Sequence, residues 1–298
     1  MAEKTFVRFV TTSSPVAMAV TANNRVSFRL YRMRKIIALL VSVLVLAGCA
    51  NLDSSDHTHH NHTIDESNFS EATPAADGGT FLKSQVSSEV KSIELLDSNG
   101  NTFSLDDLSG QMIILANFYT SCSHVCPMTT ANMKQMAEQI SNTGLSKKIT
   151  VLEVSVDGDR DTVERINAYQ NLYGEKSWIM ATANQKTLNK FWKFFGVIPE
   201  AEPITEAEQQ SEPKDWLTGK ANTYRMVDAP IVNVIDPDLN WRWLNTGLPD
   251  ASKDYVPTTL MNYLSEHGLD TLQNPGEGAW TIKSVFSAIK EIAGYEIG

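Results

Sequence analysis

Two cysteines with three residues between them stand where an apolar run meets a helical segment, and this boundary constrains the fold more than any other feature. The run from Met112 to Phe118 is apolar almost throughout, which is typical of a strand buried on both faces of a sheet. Cys122 and Cys126 follow it, and Pro127 comes next, at a position where proline favours the start of a helix. The sequence therefore predicts a strand that delivers two sulfurs to the beginning of a helix.

The segments around this boundary alternate between predicted strands and helices. An Asn-Gly pair between two apolar stretches predicts a hairpin before the central strand. The order of elements indicates an α/β fold, with a central mixed sheet flanked by helices and an N-terminal hairpin, and the cysteine-bearing turn makes it a thioredoxin-like arrangement. The predicted elements are a hairpin at 90–105, strands at 112–118, 149–156, 178–181, 231–235 and 241–244, and helices at 127–141, 161–173, 188–195, 257–266 and 281–293.

The third cysteine of the chain, Cys49, ends a segment that resembles a bacterial lipoprotein signal peptide. A basic pair and the apolar run 36–46 precede it, and small residues stand directly before the cysteine. The run is about half of the ~20 residues that a transmembrane helix requires. We therefore expect a signal peptide at 33–48 and lipidation of Cys49, with residues 1–32 as a mis-called extension.

Export of the chain bears on the redox state and on the partners to expect. An exported protein resides in an oxidising compartment, where disulfides can form. The residues after Cys49 lack the aspartate that signals inner-membrane retention in many lipoproteins. This favours an outer-membrane anchor in a bacterial envelope, with the domain facing the periplasm. A net charge of −10 and the lack of a basic stripe argue against a nucleic-acid partner.

The polar segment after Cys49 reads as a disordered tether that reaches residue 86. It contains four of the six histidines of the chain, at 57–62, which favours adventitious metal binding over a dedicated site. The thioredoxin-like domain is predicted to cover 87–298 and to contain an acidic, exposed insertion at 199–215.

The cysteine pair itself allows three kinds of chemistry. Residues one helical turn apart lie about 6 Å apart at Cα, which suits a disulfide, and two thiolates can also hold a soft ion such as Cu(I). A purely stabilising disulfide is disfavoured, because so short a loop constrains the unfolded chain very little. Cys126 is predicted to cap the helix, where its thiolate would be stabilised, and Cys122 is predicted to be the more exposed sulfur. The spacing does not say which sulfur attacks first.

Four groups of residues form two motifs, CxxxCP and VDxxRDT, with flanking segments. The groups are Phe103-Ser104-Leu105 with Asp107-Leu108-Ser109-Gly110, Asn117-Phe118-Tyr119-Thr120-Ser121-Cys122, Val125-Cys126-Pro127, and Ser155 to Thr162. In their order and spacing they resemble the Sco/SenC family of membrane-anchored, thioredoxin-fold proteins. The resemblance covers roughly 87–248 and rests mainly on the two motifs.

This resemblance implies a function in copper delivery to cytochrome c oxidase and in thiol–disulfide exchange. It also implies copper ligation by Cys122, Cys126 and a distant histidine, with Asp157 or Asp161 near that site. Either aspartate is a candidate proton relay, and an N-cap role is the stronger expectation for Asp161.

The chain departs from the family pattern where the distant histidine should stand. Ala229 occupies that position in Val227-Asp228-Ala229-Pro230. The substitutes are His124, inside the CxxxC loop, or the tract at 57–62. We expect His267, the only histidine downstream, to face solvent from a helix.

Pro230 offers a second resemblance, to the cis-proline beside the cysteine pair of thioredoxin-like reductases. Such a proline exposes backbone groups to a substrate chain, and it occupies the slot where a metal ligand would stand. An ordinary trans proline opening an edge strand is the equally favoured alternative.

Three hypotheses follow for the function. The first is thiol–disulfide exchange on a protein substrate through Cys122 and Cys126, with Pro230 at the site and no cofactor required. The second is a copper metallochaperone whose partner is cytochrome c oxidase subunit II. The third is a non-catalytic interaction module, which the intact cysteine pair disfavours. Because the histidine is absent, thiol chemistry ranks first, and copper binding by two thiolates stays possible.

Overall fold

The computed structural model describes residues 72–174 and 177–297 of the chain. The predicted extension, signal peptide and histidine tract, together with Cys49, lie outside the described residues. Among the described residues, we find no helix both long and apolar enough to span a bilayer.

The described part contains strands and helices that alternate along the chain. In order they are β1 (Thr73–Pro74), β2 (Thr80–Gln85), α1 (Ser88–Lys91), β3 (Leu95–Asp97), β4 (Thr102–Phe103), β5 (Met112–Phe118), α2 (Cys126–Asn142), β6 (Ile149–Ser155), α3 (Val163–Leu172), β7 (Ile179–Thr182), α4 (Gln185–Phe194), β8 (Glu200–Pro203), α5 (Glu206–Ser211), β9 (Tyr224–Val227), β10 (Val232–Ile235), β11 (Asn240–Asn245), α6 (Thr258–Met261), α7 (Glu266–Gln273) and α8 (Ile282–Ala293).

One large mixed sheet organises these elements, in the order β1-β2-β11-β10-β5-β6-β7-β3-β4. Strands β5, β6 and β7 are parallel, and β10 lies antiparallel to both β5 and β11. The unit β5–α2–β6 is followed by the antiparallel pair β10–β11 and the closing helix α8, which packs on β10. This is the thioredoxin-like order, so the predicted α/β fold is confirmed.

The middle of the sheet positions the cysteine loop. Every residue of β5 is buried, because this strand lies between β10 and β6 and α2 packs on β5 and β6. The carboxyl end of β5, at Phe118, leads directly into the loop that carries both cysteines. The loop is therefore anchored by a buried strand on one side and a helix on the other.

The predicted hairpin forms, but its first strand is shorter than expected. The Ser87 side chain accepts a hydrogen bond from the Val90 amide at 3.3 Å, and this cap begins the short helix α1 where a strand was predicted. Only Leu95 and Leu96 pair with β4. The Asp97 carboxylate orders the turn by accepting bonds from the amides of Asn99 and Asn101.

The sheet also begins earlier in the chain than the predicted domain start at residue 87. Strand β2 pairs with β11, and Leu82 and Val86 are buried in the core. The segment 72–86 therefore belongs to the folded domain and not to a disordered tether. Its six-residue strand alternates buried and exposed side chains, a weak signal inside a polar segment.

The acidic segment at 199–215 is partly ordered, and the predicted C-terminal helix is divided. Strand β8 is exposed and pairs with β9, whereas Asp215, at the end of the segment, is buried. Helices α6 and α7 replace the single helix predicted at 257–266. The Ser265 side chain caps α7 by accepting a bond from the Gly268 amide at 3.1 Å.

Candidate functional site

The two cysteines are free thiols at the junction of the β5 loop and α2, and their sulfurs are placed differently from the sequence prediction. Val125 is the N-cap residue, and Cys126 is the first residue of the helix. The sulfur over the helix start belongs to Cys122, which accepts a hydrogen bond from the Cys126 amide at 3.4 Å. Both side chains are buried, with 4% and 5% of their surfaces exposed, so Cys122 is not the more exposed one.

This placement separates the acidities of the two thiols. Burial raises the pKa of Cys122. Hydrogen bonds from the Cys126 thiol and from the amides of Cys126 and His124 outweigh burial, so the pKa falls below its ordinary value. Burial raises the pKa of Cys126 well above its ordinary value. The hydrogen bond to Cys122 and the negative charges of Cys122 and Asp228 act in the same direction. Cys122 is therefore the sulfur that ionises first.

A cleft of about 270 Å³ opens onto the pair. It collects residues from the cysteine loop, from the segment between β9 and β10, and from α7. The structure thus brings the predicted site residues Cys122, Cys126 and Pro230 together. His124, the substitute ligand offered by the sequence, lines the same cleft, as do Asp228 and His267. The lining residues that matter for the chemistry are Cys122, Cys126, His124, Asp228, Pro230 and His267.

Asn117, at the end of β5, holds the segment opposite the cysteines. Its amide nitrogen donates to the Asp228 carboxylate at 2.5 Å and to the Ala229 carbonyl at 3.0 Å, and its oxygen accepts a bond from the Ile231 amide at 2.8 Å. Burial raises the pKa of Asp228 to about 6, and the Asn117 bond lowers it in part. Asp228 is thus a carboxylate at neutral pH, whereas the Ala229 side chain offers no ligand.

The carbonyl groups of the cysteine loop are held by three donors from distant segments. The Thr120 carbonyl accepts a bond from the Trp216 indole at 2.8 Å, and the Ser121 carbonyl accepts one from the Tyr263 hydroxyl at 2.8 Å. The Ser123 carbonyl accepts one from the Ser265 amide at 2.9 Å. The loop is therefore held in place by the segment after the acidic insertion and by the C-terminal helices.

The Asp161 side chain holds the start of this loop through hydrogen bonds and does not cap α3. Its carboxylate accepts bonds from the Thr120 amide and hydroxyl at 3.1 and 2.5 Å and from the Ser155 hydroxyl at 2.6 Å. The N-cap of α3 is Thr162, whose side chain accepts a bond from the Arg165 amide. The cap is displaced by one residue because Asp161 is fully buried.

Asp157 likewise serves the neighbouring structure. It pairs with Arg160 and accepts a bond from the Tyr224 hydroxyl at 2.9 Å. Arg165 donates to Thr120, at 2.5 Å, and to Ser121, at 2.9 Å, and it also pairs with a buried aspartate, Asp215. Neither Asp157 nor Asp161 lines the cleft, so neither stands where a proton relay to the thiols would be needed.

His267 is exposed, as expected, yet it also lines the cleft and contacts His124. The two rings meet edge to face, with centroids 5.1 Å apart and planes at 89°. Burial, and then the neighbouring His267, lower the pKa of His124, so this imidazole is neutral at neutral pH. The sequence contained both histidines, but their contact depends on the position of α7.

The donor set suits a soft ion only in part. In the segments that the structure describes, no three or more His, Cys, Asp or Glu side chains are arranged to hold a metal ion. Two neighbouring thiols match the preference of Cu(I) for sulfur, whereas a Cu(II) site needs further ligands that Ala229 does not supply.

Comparisons with known proteins place these features in a family. Residues 83–226 match the SCO1/SenC family model, and residues 33–50 match the model of a prokaryotic membrane lipoprotein lipid attachment site. The chain is thus a lipid-anchored envelope protein.

Individual relatives are more distant. A Stutzerimonas stutzeri protein named for copper binding is 29% identical over 119 residues, which cover 40% of this chain and 56% of the relative. A SCO2-like protein of Rickettsia felis is 29% identical over 111 residues, covering 35% and 52%. The chain spans about half the length of these curated relatives.

Among solved structures, Arabidopsis thaliana ScoI with copper bound aligns with a TM-score of 0.43 at 16% identity, covering 67% of this chain and 96% of that one. The match of the family model includes the β5–α2 junction and both cysteines. The chain belongs to the SCO1/SenC family.

Proposed function

We propose that this protein carries out thiol–disulfide exchange on a protein substrate, with Cys122 as the attacking sulfur and Cys126 as the resolving sulfur. The observation that carries the proposal is the hydrogen bonding of Cys122. Its sulfur accepts a hydrogen bond from the Cys126 amide at 3.4 Å and another from the Cys126 thiol. Donors aimed at a sulfur stabilise the thiolate, which is the reactive species. No cofactor is required for this reaction.

The exchange proceeds in two displacements. The Cys122 thiolate attacks one sulfur of a substrate disulfide, forming a mixed disulfide and releasing the other substrate sulfur as a thiolate that takes up a proton. Cys126 then loses its proton and attacks Cys122. This step forms the Cys122–Cys126 disulfide and releases the second substrate thiolate. The substrate gains two electrons, and the pair is oxidised.

The second displacement needs a proton acceptor, because the pKa of Cys126 is raised. Asp228 is the carboxylate that lines the same cleft, and its charge acts on both thiols. We assign it the acceptor role, with the released substrate thiolate as the final destination of the proton. Pro230, at the opposite wall of the cleft, is proposed to leave the adjoining backbone open to the substrate chain.

The family match and the lipid attachment site support a membrane-bound protein as the partner. Residues 33–50 match a lipid attachment site, and we propose that Cys49 carries the lipid on an outer membrane with the domain facing the periplasm. The proposed substrate is a membrane-bound protein with a pair of copper-ligating cysteines, as in cytochrome c oxidase subunit II. Keeping such cysteines reduced would allow them to bind copper.

Trapping of the mixed disulfide tests the order of attack. The reduced Cys126→Ser protein is mixed with a disulfide-bonded peptide, and a covalent adduct at Cys122 is expected to accumulate. The matched Cys122→Ser protein is expected to form little adduct, because the pKa of the remaining thiol is high. Equal adduct in both proteins would reject the assignment, and no reaction of the wild-type protein would reject thiol exchange itself.

Copper delivery is the second candidate, favoured by the two adjacent sulfurs and by the copper-binding name of the Stutzerimonas stutzeri relative. Cu(I) held by two thiolates needs no histidine. Anaerobic titration with Cu(I) and Cu(II) distinguishes the candidates. Tight Cu(II) binding that is lost in Cys122→Ser would place copper delivery ahead of thiol exchange.

A further inference from the structure

The pair of strands β8 and β9 stands beside the dithiol cleft, and thiol exchange as described above uses none of its outward side chains. Strand β9 leads into the wall of the cleft, which Met226, Val227 and Asp228 line. The two strands are antiparallel along their whole length. Strand β8 and the connection to β9 include the acidic segment 199–215, to which the exchange reaction gives no role.

The inner edge of β9 is bonded to the rest of the domain. The Tyr119 hydroxyl donates to the Met226 carbonyl at 3.2 Å, and the Arg160 guanidinium donates to the Tyr224 carbonyl at 2.8 Å. In an antiparallel pair, alternate carbonyls point away from the partner strand, and these two bonds occupy them. The strand pair is therefore fixed next to the cysteine loop.

The outer face of the strand pair exposes two large apolar side chains. Val227 is 50% exposed although it lines the cleft, and Ile198, just before β8, is 69% exposed. Glu200 lies directly opposite Val227, so these two side chains share a face. Ile198 stands two residues before Glu200, and the following Pro199 favours the extended backbone that continues the same alternation. An apolar strip thus runs from the dithiol cleft onto the strand pair.

The charge beside this strip is negative. Arg225, the basic residue of β9, is already paired with three carboxylates, at 2.9, 2.9 and 3.7 Å, which belong to Glu202, Glu208 and Glu212. Glu200 is exposed, and within the described part of the chain it makes no ion pair. Its carboxylate is therefore free to pair with a cationic group of another molecule.

We propose that the outer strip, formed by Ile198, Glu200 and Val227, docks the substrate polypeptide, and that it selects a chain with apolar and basic residues next to the reacting cysteine. The two apolar side chains would be covered by apolar groups of the substrate, and the Glu200 carboxylate would pair with its basic group. The net charge of −10 also favours a basic partner. This inference rests on the proposed thiol exchange, because it names the class of substrate for the same site.

Binding is measured first, on the reduced full chain in neutral-detergent micelles, with empty micelles as the blank. Three labelled peptides carry serine in place of the reacting cysteine and differ only in the next four residues: Leu-Lys-Leu-Lys, Leu-Glu-Leu-Glu or Ser-Gly-Ser-Gly. Fluorescence anisotropy should show the Leu-Lys peptide binding roughly tenfold more tightly than the other two. Its advantage should shrink as the salt concentration rises from about 0.05 M to 0.5 M. Equal affinities would overturn the docking surface.

Variants of the outer strip test which side chains select the peptide. Val227→Ser and Ile198→Ser are each expected to lose most of the preference for the Leu-Lys peptide, and Glu200→Gln is expected to lose its salt dependence. Leu96→Ser, an exposed apolar change on β3, four strands away from β10, is the matched control and should bind like the parent. Strip variants that bind like the control would overturn the assignment, as would a Val227→Ser protein that only dissociates a dimer in sedimentation.

Exchange is measured separately, with the same peptides carrying cysteine as symmetrical disulfides. Each rate is divided by the rate of the same peptide with mercaptoethanol, which removes differences in the reactivity of the disulfides themselves. The Leu-Lys disulfide is expected to oxidise the cysteine pair roughly tenfold faster than the other two. A chain that binds the Leu-Lys peptide selectively but reacts with no disulfide would reject thiol exchange and retain the docking surface.

Discussion

The Cys122 sulfur and the Asp228 carboxylate share one cleft, and their protonation states depend on each other. The negative charge of Asp228 raises the pKa values of both Cys122 and Cys126. The pKa of Asp228 is itself raised to about 6, because the group is buried. The wild-type resolving step is therefore expected to become faster as the pH rises through about 6, where Asp228 becomes able to accept a proton.

Asp228→Asn tests this coupling at the residue scale. The amide removes the charge, so we expect faster alkylation of Cys122 at a given pH. It also removes the proton acceptor, so the mixed disulfide should resolve roughly 10²-fold more slowly and lose the rise near pH 6. Rapid acid quenching across pH 5–8 measures both steps. Asp238→Asn, an exposed change, is the control, and an unchanged resolution profile in Asp228→Asn would remove Asp228 from the mechanism.

At the same scale, the sequence predicted which cysteines line the candidate site, but not which of the two sulfurs lies over the helix start. The cysteine spacing and the alanine at position 229, where the family has a histidine, can both be read directly from the sequence. The sequence assigned the helix-facing sulfur to Cys126, because a residue before proline resembles a cap. The loop turns back through a bond from the Cys122 amide to the Tyr119 carbonyl, which puts Cys122 over the helix start. Only the folded loop shows this.

Among the elements, apolar continuity made β5 and β6 predictable, whereas the contacts that hold the cysteine loop were not. The bond from Tyr263 to Ser121 joins residues 142 positions apart. Trp216 stands just after an acidic segment that reads as an exposed insertion. No local pattern links such residues to the loop, because their pairing is set by how the C-terminal helices pack.

Trp216→Phe tests the contact between the Trp216 indole and the Thr120 carbonyl. Phenylalanine keeps an aromatic ring beside Tyr169, now 5.7 Å from the Trp216 ring, but it cannot donate to the Thr120 carbonyl. A part-buried carbonyl loses its partner, and we expect the free energy of unfolding to fall by about 1–3 kcal/mol. Urea unfolding measures this change. Leu217→Ala, half exposed, is the control with a change within about 0.5 kcal/mol, and a loss no larger than the control's would contradict the contact.

Gly268→Ala tests the close approach of α7 to the cysteine loop. Helix propensity alone would stabilise alanine by about 1 kcal/mol. The added Cβ would lie 2.4 Å from the Ser123 oxygen, and overpacking of this kind costs about 1–3 kcal/mol, so we expect net destabilisation. Urea unfolding with Gln273→Ala as the control decides the sign. A more stable Gly268→Ala protein would show that the helix yields without cost.

On the scale of the whole molecule, the alternation of strands and helices was enough to predict the thioredoxin-like sheet, but not what the sheet buries. Glu153 lies in the middle of β6 and is fully buried, between the Thr130 hydroxyl and the Trp178 indole, both at 2.8 Å. In the sequence it stands as a single acid in the run Ile149–Ser155, with no signal that a whole sheet and helix would close over it. Burial raises its pKa to about 8.

This buried carboxyl makes the stability of the fold depend on pH in a defined direction. The pKa of Glu153 is about 8 in the folded state and 4.5 when unperturbed. Its contribution to the free energy of unfolding is therefore fully present below pH 4.5 and is lost as the pH rises to about 8, at up to about 1.4 kcal/mol per pH unit.

Glu153→Gln places a neutral amide where the wild type has the neutral acid, and this change should remove the loss. Urea unfolding from pH 5 to 9 should then show a wild-type curve that falls below the variant's as the pH rises. Asp161 and Asp228, whose pKa values are also raised to about 6, are common to both proteins and cancel in the difference. Glu94→Gln, an exposed change, should track the wild type, and parallel curves for wild type and Glu153→Gln would show that Glu153 is ionised throughout this range.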